Sequence, residues 1–131
     1  MEMFYSDENE LGKIKYDDKI IGNIIRKSTE KYMGKVMLSD TKGRIRKNSL
    51  KEMNSDDIAF MKMDKTEEGY DIDIYIVLRF GTSISETSLE MIDEIRKEIA
   101  QITDIKIGKI KVTITGMLSK NLIKRHIEVV G

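Results

Sequence analysis

Between Tyr70 and Phe80 every second residue is apolar. Ile72, Ile74, Ile76, Leu78 and Phe80 fall on one side, while Asp71, Asp73, Tyr75, Val77 and Arg79 fall on the other. Successive side chains of a strand point to opposite faces, so this run predicts a β-strand with one face packed against helices and the other at least partly open to water. Such a strand needs partners. The sequence supplies two amphipathic helices to cover its apolar face: Ile20, Ile21, Ile24, Ile25 and Tyr32 recur at helical spacing, as do Leu89, Ile92, Ile95, Ile99 and Ile102. A second alternating run, Ile110, Val112 and Ile114, follows the second helix at a distance that allows a parallel crossover. The expected fold class is therefore α+β, a two-layer sandwich with two main helices on one face of a small mixed β-sheet, in the order β-α-β-β-β-α-β.

Weaker signals fill in the remainder. Gly12 to Tyr16 alternates polar and apolar residues and predicts an opening strand with Ile14 and Tyr16 inward, after which Asp17 or Asp18 caps the first helix. Val36 and Leu38 suit a brief strand, residues 39–51 read as a basic loop, and Ile58 to Met63 read as another strand before a turn at Glu67, Glu68 and Gly69. Ser85, followed three residues later by Ser88, offers a cap for the second helix, and Thr103-Asp104 ends it. The domain is expected over residues 10–117, with a frayed N-terminus over 1–9. A C-terminal extension over 118–131 could hold a short helix capped by Ser119 and an edge strand through Ile127 and Val129.

Composition excludes several function classes. A chain of 131 residues is one domain, able to bury roughly two-thirds of the surface it exposes when unfolded. It has no cysteine, so disulfides, thiolate metal sites and cysteine nucleophiles are absent and a reducing cytoplasm is the expected setting. The acidic first ten residues lack the form of a signal peptide, and no apolar stretch is long enough to span a bilayer. Equal numbers of basic and acidic residues, 23 of each, leave no overall field to attract nucleic acid or anionic lipid.

Few constellations could carry chemistry. Asp71 and Asp73 share a strand face and could form an acid/base or cation site, but Lys109 and Lys111 on a neighbouring strand would pair with them first. His126 is the sole histidine and reads as a solvated residue of a Lys-Arg-His run; no serine lies in a Gly-x-Ser-x-Gly elbow. No catalytic residue, metal or cofactor is expected. The basic run Lys42, Arg44, Arg46 and Lys47 is the best candidate for holding an anion, although the lack of flanking aromatics weakens a nucleic-acid version. Gly22 within Ile20–Ile25 resembles the helix start of an RNA-binding KH module, but the second glycine of its clamp is missing. The open sheet face, expected to carry Lys13, Lys15, Asp71, Asp73, Tyr75, Lys109 and Lys111, is a mixed-charge surface suited to polar self-association.

Over Gly12 to Met117 the chain resembles the alkaline shock (envelope stress response) family of Gram-positive bacteria. The resemblance rests on the opening Gly-Lys-Ile before an Ile-rich helix, on the strand Asp73 to Gly81, and on Ile110 to Gly116. Phe80 stands where that family usually has Tyr, Ser85 where it has Pro, and Asp104 where it has Gly. What the resemblance implies is a non-enzymatic cytoplasmic protein that self-associates and gathers near the membrane through a membrane-anchored relative.

Overall fold

The computed structural model describes residues 2–46 and 58–131, with side chains of the first helix described from residue 12 onward. Helix α1 spans Glu2–Glu30, followed by β1 (Val36–Leu38), β2 (Met61–Thr66), β3 (Gly69–Arg79), α2 (Ile84–Ile102), β4 (Ile107–Leu118) and β5 (Leu122–Val130). These elements form an α+β fold of two helices on a five-stranded mixed sheet.

The alternating run anchors the sheet as its sequence predicts. Along β3, Ile72, Ile74, Ile76 and Leu78 are buried against the helices, where Ile21, Ile25, Met91, Ile95 and Ile99 meet them. With about 25 cal/mol for each Å² of apolar surface removed from water, this shared layer is the main source of stability. β4 pairs parallel to β3, so α2 is the crossover between them, and β5 returns antiparallel on the far side of β4. The other edge of β3 is shared: β1 pairs antiparallel with residues 76–78 and β2 with residues 69–74. The handover falls at Tyr75, whose carbonyl accepts the Ser39 N–H and whose own N–H donates to Phe60, both at 2.9 Å.

Four sequence expectations change. Gly12 to Tyr16 is not a strand but part of α1, which begins at Glu2, inside the stretch expected to fray. A five-residue alternation also fits a helix when no breaker separates it from the next stripe, and Ile14 lies seven residues before Ile21, on the same helical face. Asp17 and Asp18 consequently lie mid-helix and cap nothing. Ser83, not Ser85, is the N-cap of α2, without a side-chain capping bond. Residues 122–130 form a nine-residue strand at the sheet edge, which contains the expected Ile127 and Val129 but begins at Leu122, where a short helix capped by Ser119 is expected. Phe80 lies beyond the end of β3 and is 69 % exposed, because the chain turns at Gly81, whose φ of 93° suits a residue without Cβ.

Candidate functional site

The outward face of the sheet holds most of the polar residues singled out above. Asp73 on β3 accepts the Thr113 hydroxyl at 2.8 Å and lies 3.4 Å from the Lys111 ammonium. Lys111 reaches on to Glu128 of β5 at 2.8 Å, and His126 Nε2 lies 3.5 Å from the same carboxylate. The result is a charge ladder across three strands. The hydrogen bond from Lys111 holds Glu128 below the usual carboxylate range, and the same bond, with Asp73 behind it, holds Lys111 above the usual lysine range. Burial, then the Asp73 charge, pushes the Tyr75 hydroxyl up.

Asp71 does not join Asp73. The β3–β4 register slips between Tyr70 and Ile72, placing two residues of β4 opposite one of β3, and Asp71 accepts the freed Lys109 N–H at 2.9 Å. Gly108 makes room: a Cβ there would lie 2.5 Å from the Asp71 carboxylate. The two carboxylates are thus separately engaged, one by a backbone amide and one by Thr113 and Lys111. Such an arrangement stabilises the strand pairing and offers no poised acid/base pair. Among the described residues no group of three or more His, Asp or Glu could hold a metal ion.

Lys13 and Lys15 are not on this face. They are exposed on α1, because the segment expected to form a short opening strand is helical. The face is also partly covered, since the loop after β1 lies against it. The Ser39 hydroxyl shares a 2.6 Å hydrogen bond with that of Thr115, and Gly43, at a φ of 83°, packs its backbone against the Thr115 carbonyl. Val77, on the same face, is fully buried.

That loop carries the basic run. Lys42, Arg44 and Arg46 line a shallow cleft of about 390 Å³ together with Lys62 and Tyr75; Lys47 lies outside the described residues. The loop is organised around Asp40, whose carboxylate accepts the backbone N–H groups of Lys42 and Arg44 and the Arg44 Nε, at 2.9, 2.9 and 2.7 Å. Burial would raise the Asp40 pKa, but these bonds outweigh it and hold the group below the carboxylate range. Arg44 is therefore already engaged by an internal anion.

Two features escape the sequence reading. Asp17 is buried within α1 and accepts the Tyr70 hydroxyl at 2.9 Å, tying the helix to the start of β3. Its helical phase with Ile14 and Ile21 was the available signal. Beside that bond lies a cleft of about 1100 Å³ between α1, the β2–β3 turn and the α2–β4 connection. Its apolar lining includes Ile14, Tyr16, Ile20, Ile102 and Ile105, of which Tyr16 is 66 % and Ile102 62 % exposed.

Comparison with known proteins adds a family assignment. The model of the alkaline shock protein 23 family, described as having a cell envelope-related function, matches residues 6–119. Over 57 residues the chain is 32% identical to the uncharacterized protein YqhY of Bacillus subtilis, a stretch that is 44% of this chain and 42% of that protein. The chain thus matches less than half the length of that relative. No solved structure matches.

Proposed function

Because the chain belongs to the alkaline shock protein 23 family, whose function is related to the cell envelope, we propose that it is a non-enzymatic scaffolding module acting through self-association and through a membrane-anchored partner of the same family. The observation that carries this reading is the outward ladder of Asp73, Lys111, Glu128 and His126. Its charged groups are mutually engaged, Lys111 lying between the Asp73 and Glu128 carboxylates, so a partner can cover them without leaving an unpaired charge buried. No described helix is long and apolar enough to cross a membrane. The basic loop offers less support for an anion-binding role, since Arg44 already engages Asp40.

The test is co-purification of the tagged chain with detergent-solubilised membranes of its native cell. Recovery of a membrane-anchored relative by the wild type, with loss on Lys111→Glu, which sets a third carboxylate between Asp73 and Glu128, is the expected result. A chain that brings down no such relative and remains monomeric at high micromolar concentration would overturn the reading.

A further inference from the structure

Three connections meet at the end of the sheet where β3 and β4 finish. Residues 31–35 join α1 to β1, residues 80–83 lead from β3 into α2, and residues 119–121 turn β4 back into β5. Backbone hydrogen bonds hold them side by side: the Arg79 N–H donates to the Lys35 carbonyl at 2.8 Å and the Phe80 N–H to the Leu118 carbonyl at 2.7 Å, while Leu118 pairs with Leu122 across the β4–β5 hairpin. Neighbouring strands lie about 4.8 Å apart, so the order β1-β3-β4-β5 presents a rim about 14 Å wide.

The rim is apolar at its crest. Met33 is 84 % exposed, Phe80 69 %, Ile123 44 % and Leu122 38 %, half of the large hydrophobic side chains exposed among the described residues. Scattered singly such residues are ordinary, but gathered on one rim they mark a contact surface. Its charge is of one sign. Residues 31–38, 79–85 and 117–125 hold six basic residues and no acidic one, in a chain whose net charge is zero. Lys31 pairs with Glu94, whereas Lys35, Arg79, Lys120, Lys124 and Arg125 are exposed and form no ion pair among the described residues. The carboxylates next along the chain are Glu30, held by Arg26, Asp40, held by Arg44, Glu128, held by Lys111, and Glu86, which is exposed in the first turn of α2. Glu90 and Glu94 lie farther along α2, where they flank the Tyr32 hydroxyl.

A basic rim with a protruding apolar crest matches a bilayer whose headgroups are anionic and whose acyl layer begins just beneath them. An acidic protein face answers the charges but gives Phe80 and Met33 no apolar layer to enter. We infer that this rim docks the chain directly on an anionic bilayer: Phe80, Met33, Leu122 and Ile123 enter the interface between headgroups and acyl chains, and Lys35, Arg79, Lys120 and Lys124 lie against lipid phosphates. The contact goes beyond the scaffolding reading, since it needs no protein anchor and leaves the outward ladder free for other copies.

Flotation of the purified full chain with vesicles tests it in the absence of any other protein, so its failure is separable from a failure to co-purify with an anchored relative. The wild type should float with vesicles of equal parts phosphatidylglycerol and phosphatidylcholine, detach as salt screens the headgroups, and ignore phosphatidylcholine alone. At about fivefold for each basic residue near the surface, Lys120→Glu/Lys124→Glu should bind at least about twentyfold more weakly. Lys13→Glu/Lys15→Glu, which changes net charge equally but lies beside the β2–β3 turn at the other end of the sheet, should bind as wild type does. The chain has no tryptophan, so Phe80→Trp supplies a single reporter whose emission should shift to the blue on the anionic vesicles. All of these side chains are exposed, and circular dichroism verifies that the variants keep the fold. Anionic vesicles left unbound by the wild type, binding that survives Lys120→Glu/Lys124→Glu, or an unmoved Phe80→Trp emission overturns the inference. If vesicles are ignored while the double variant loses a protein partner in its native cell, the rim is a protein-docking surface and the lipid contact is refuted.

Discussion

Removing the Tyr70 hydroxyl should cost more stability than its surface-like polarity suggests. Tyr70 and Asp17 are 7 % and 4 % exposed, and the 2.9 Å bond joins groups 53 residues apart in the chain. In Tyr70→Phe the carboxylate loses this donor in a place where water has little access. A hydrogen bond to a charged group contributes about 1.5 to 3 kcal/mol, and stranding a buried acceptor falls at the upper end of that range. With an unfolding entropy of about 2.1 cal/mol/K per residue, one kcal/mol in a chain of this size is worth about 4 °C, so a cost of about 2 to 3 kcal/mol lowers Tm by about 8 to 12 °C. Urea denaturation of wild type, Tyr70→Phe, Asp17→Ala and the double variant closes a cycle whose coupling energy should reach about 1.5 kcal/mol. The double variant should be little worse than either single one, because neither then leaves a partner stranded. A coupling below about 0.5 kcal/mol, or Tyr70→Phe as stable as wild type, would refute the claim that this bond fastens α1 to the sheet.

Gly69→Ala should destabilise by about 3 kcal/mol or more in chemical denaturation, since its φ is 127° and an added Cβ would fall on the Lys106 carbonyl. Asp40→Asn should cost about 1 kcal/mol at pH 7. Because the folded-state pKa of Asp40 is depressed, the wild-type advantage is present above 3.8 and fades as pH falls through the lowered value, so urea midpoints of the two proteins should converge in acid. Asp18→Asn should behave in the opposite way. Burial first and the neighbouring Asp17 second raise the Asp18 pKa, and its Oδ1 has no hydrogen-bond partner. Ionisation there opposes folding, with no cost below 3.8 and the full cost above the raised value, so the variant should gain stability at neutral pH and none at pH 3.

The sheet and both helices were legible where one periodicity ran long enough to exclude the other. Ile72 to Leu78 cannot be helical without placing branched side chains around the whole circumference, and Leu89 to Ile102 cannot be a strand without burying Glu90 and Glu94. Gly12 to Tyr16 was misread because five residues satisfy both patterns; deciding between them needed the position of Ile21 two turns on. The pairing of Asp73 with Lys111 followed from placing two alternating runs side by side. The engagement of Asp71 by a backbone amide did not, because it depends on a register slip at Gly108 that no side-chain pattern announces. Asp17 and Tyr70 met for the same reason that most long-range polar pairs are hidden: each residue alone is ordinary, and only the packed helix brings them together.

The unequal edges of the sheet bear on how these molecules can multiply. One margin is broken, made of the three residues of β1 and the six of β2 with a departure at Tyr75 between them, and gives a second molecule no continuous row of amides to join. The other, β5, is nine residues long and, among the described residues, has no strand on its outer side, a template on which further strands could stack. There the exposed run Lys124, Arg125 and His126 acts as a gatekeeper. A second β5 approaching antiparallel would bring like charges face to face. Growth by adding strand to strand is thereby discouraged along both margins.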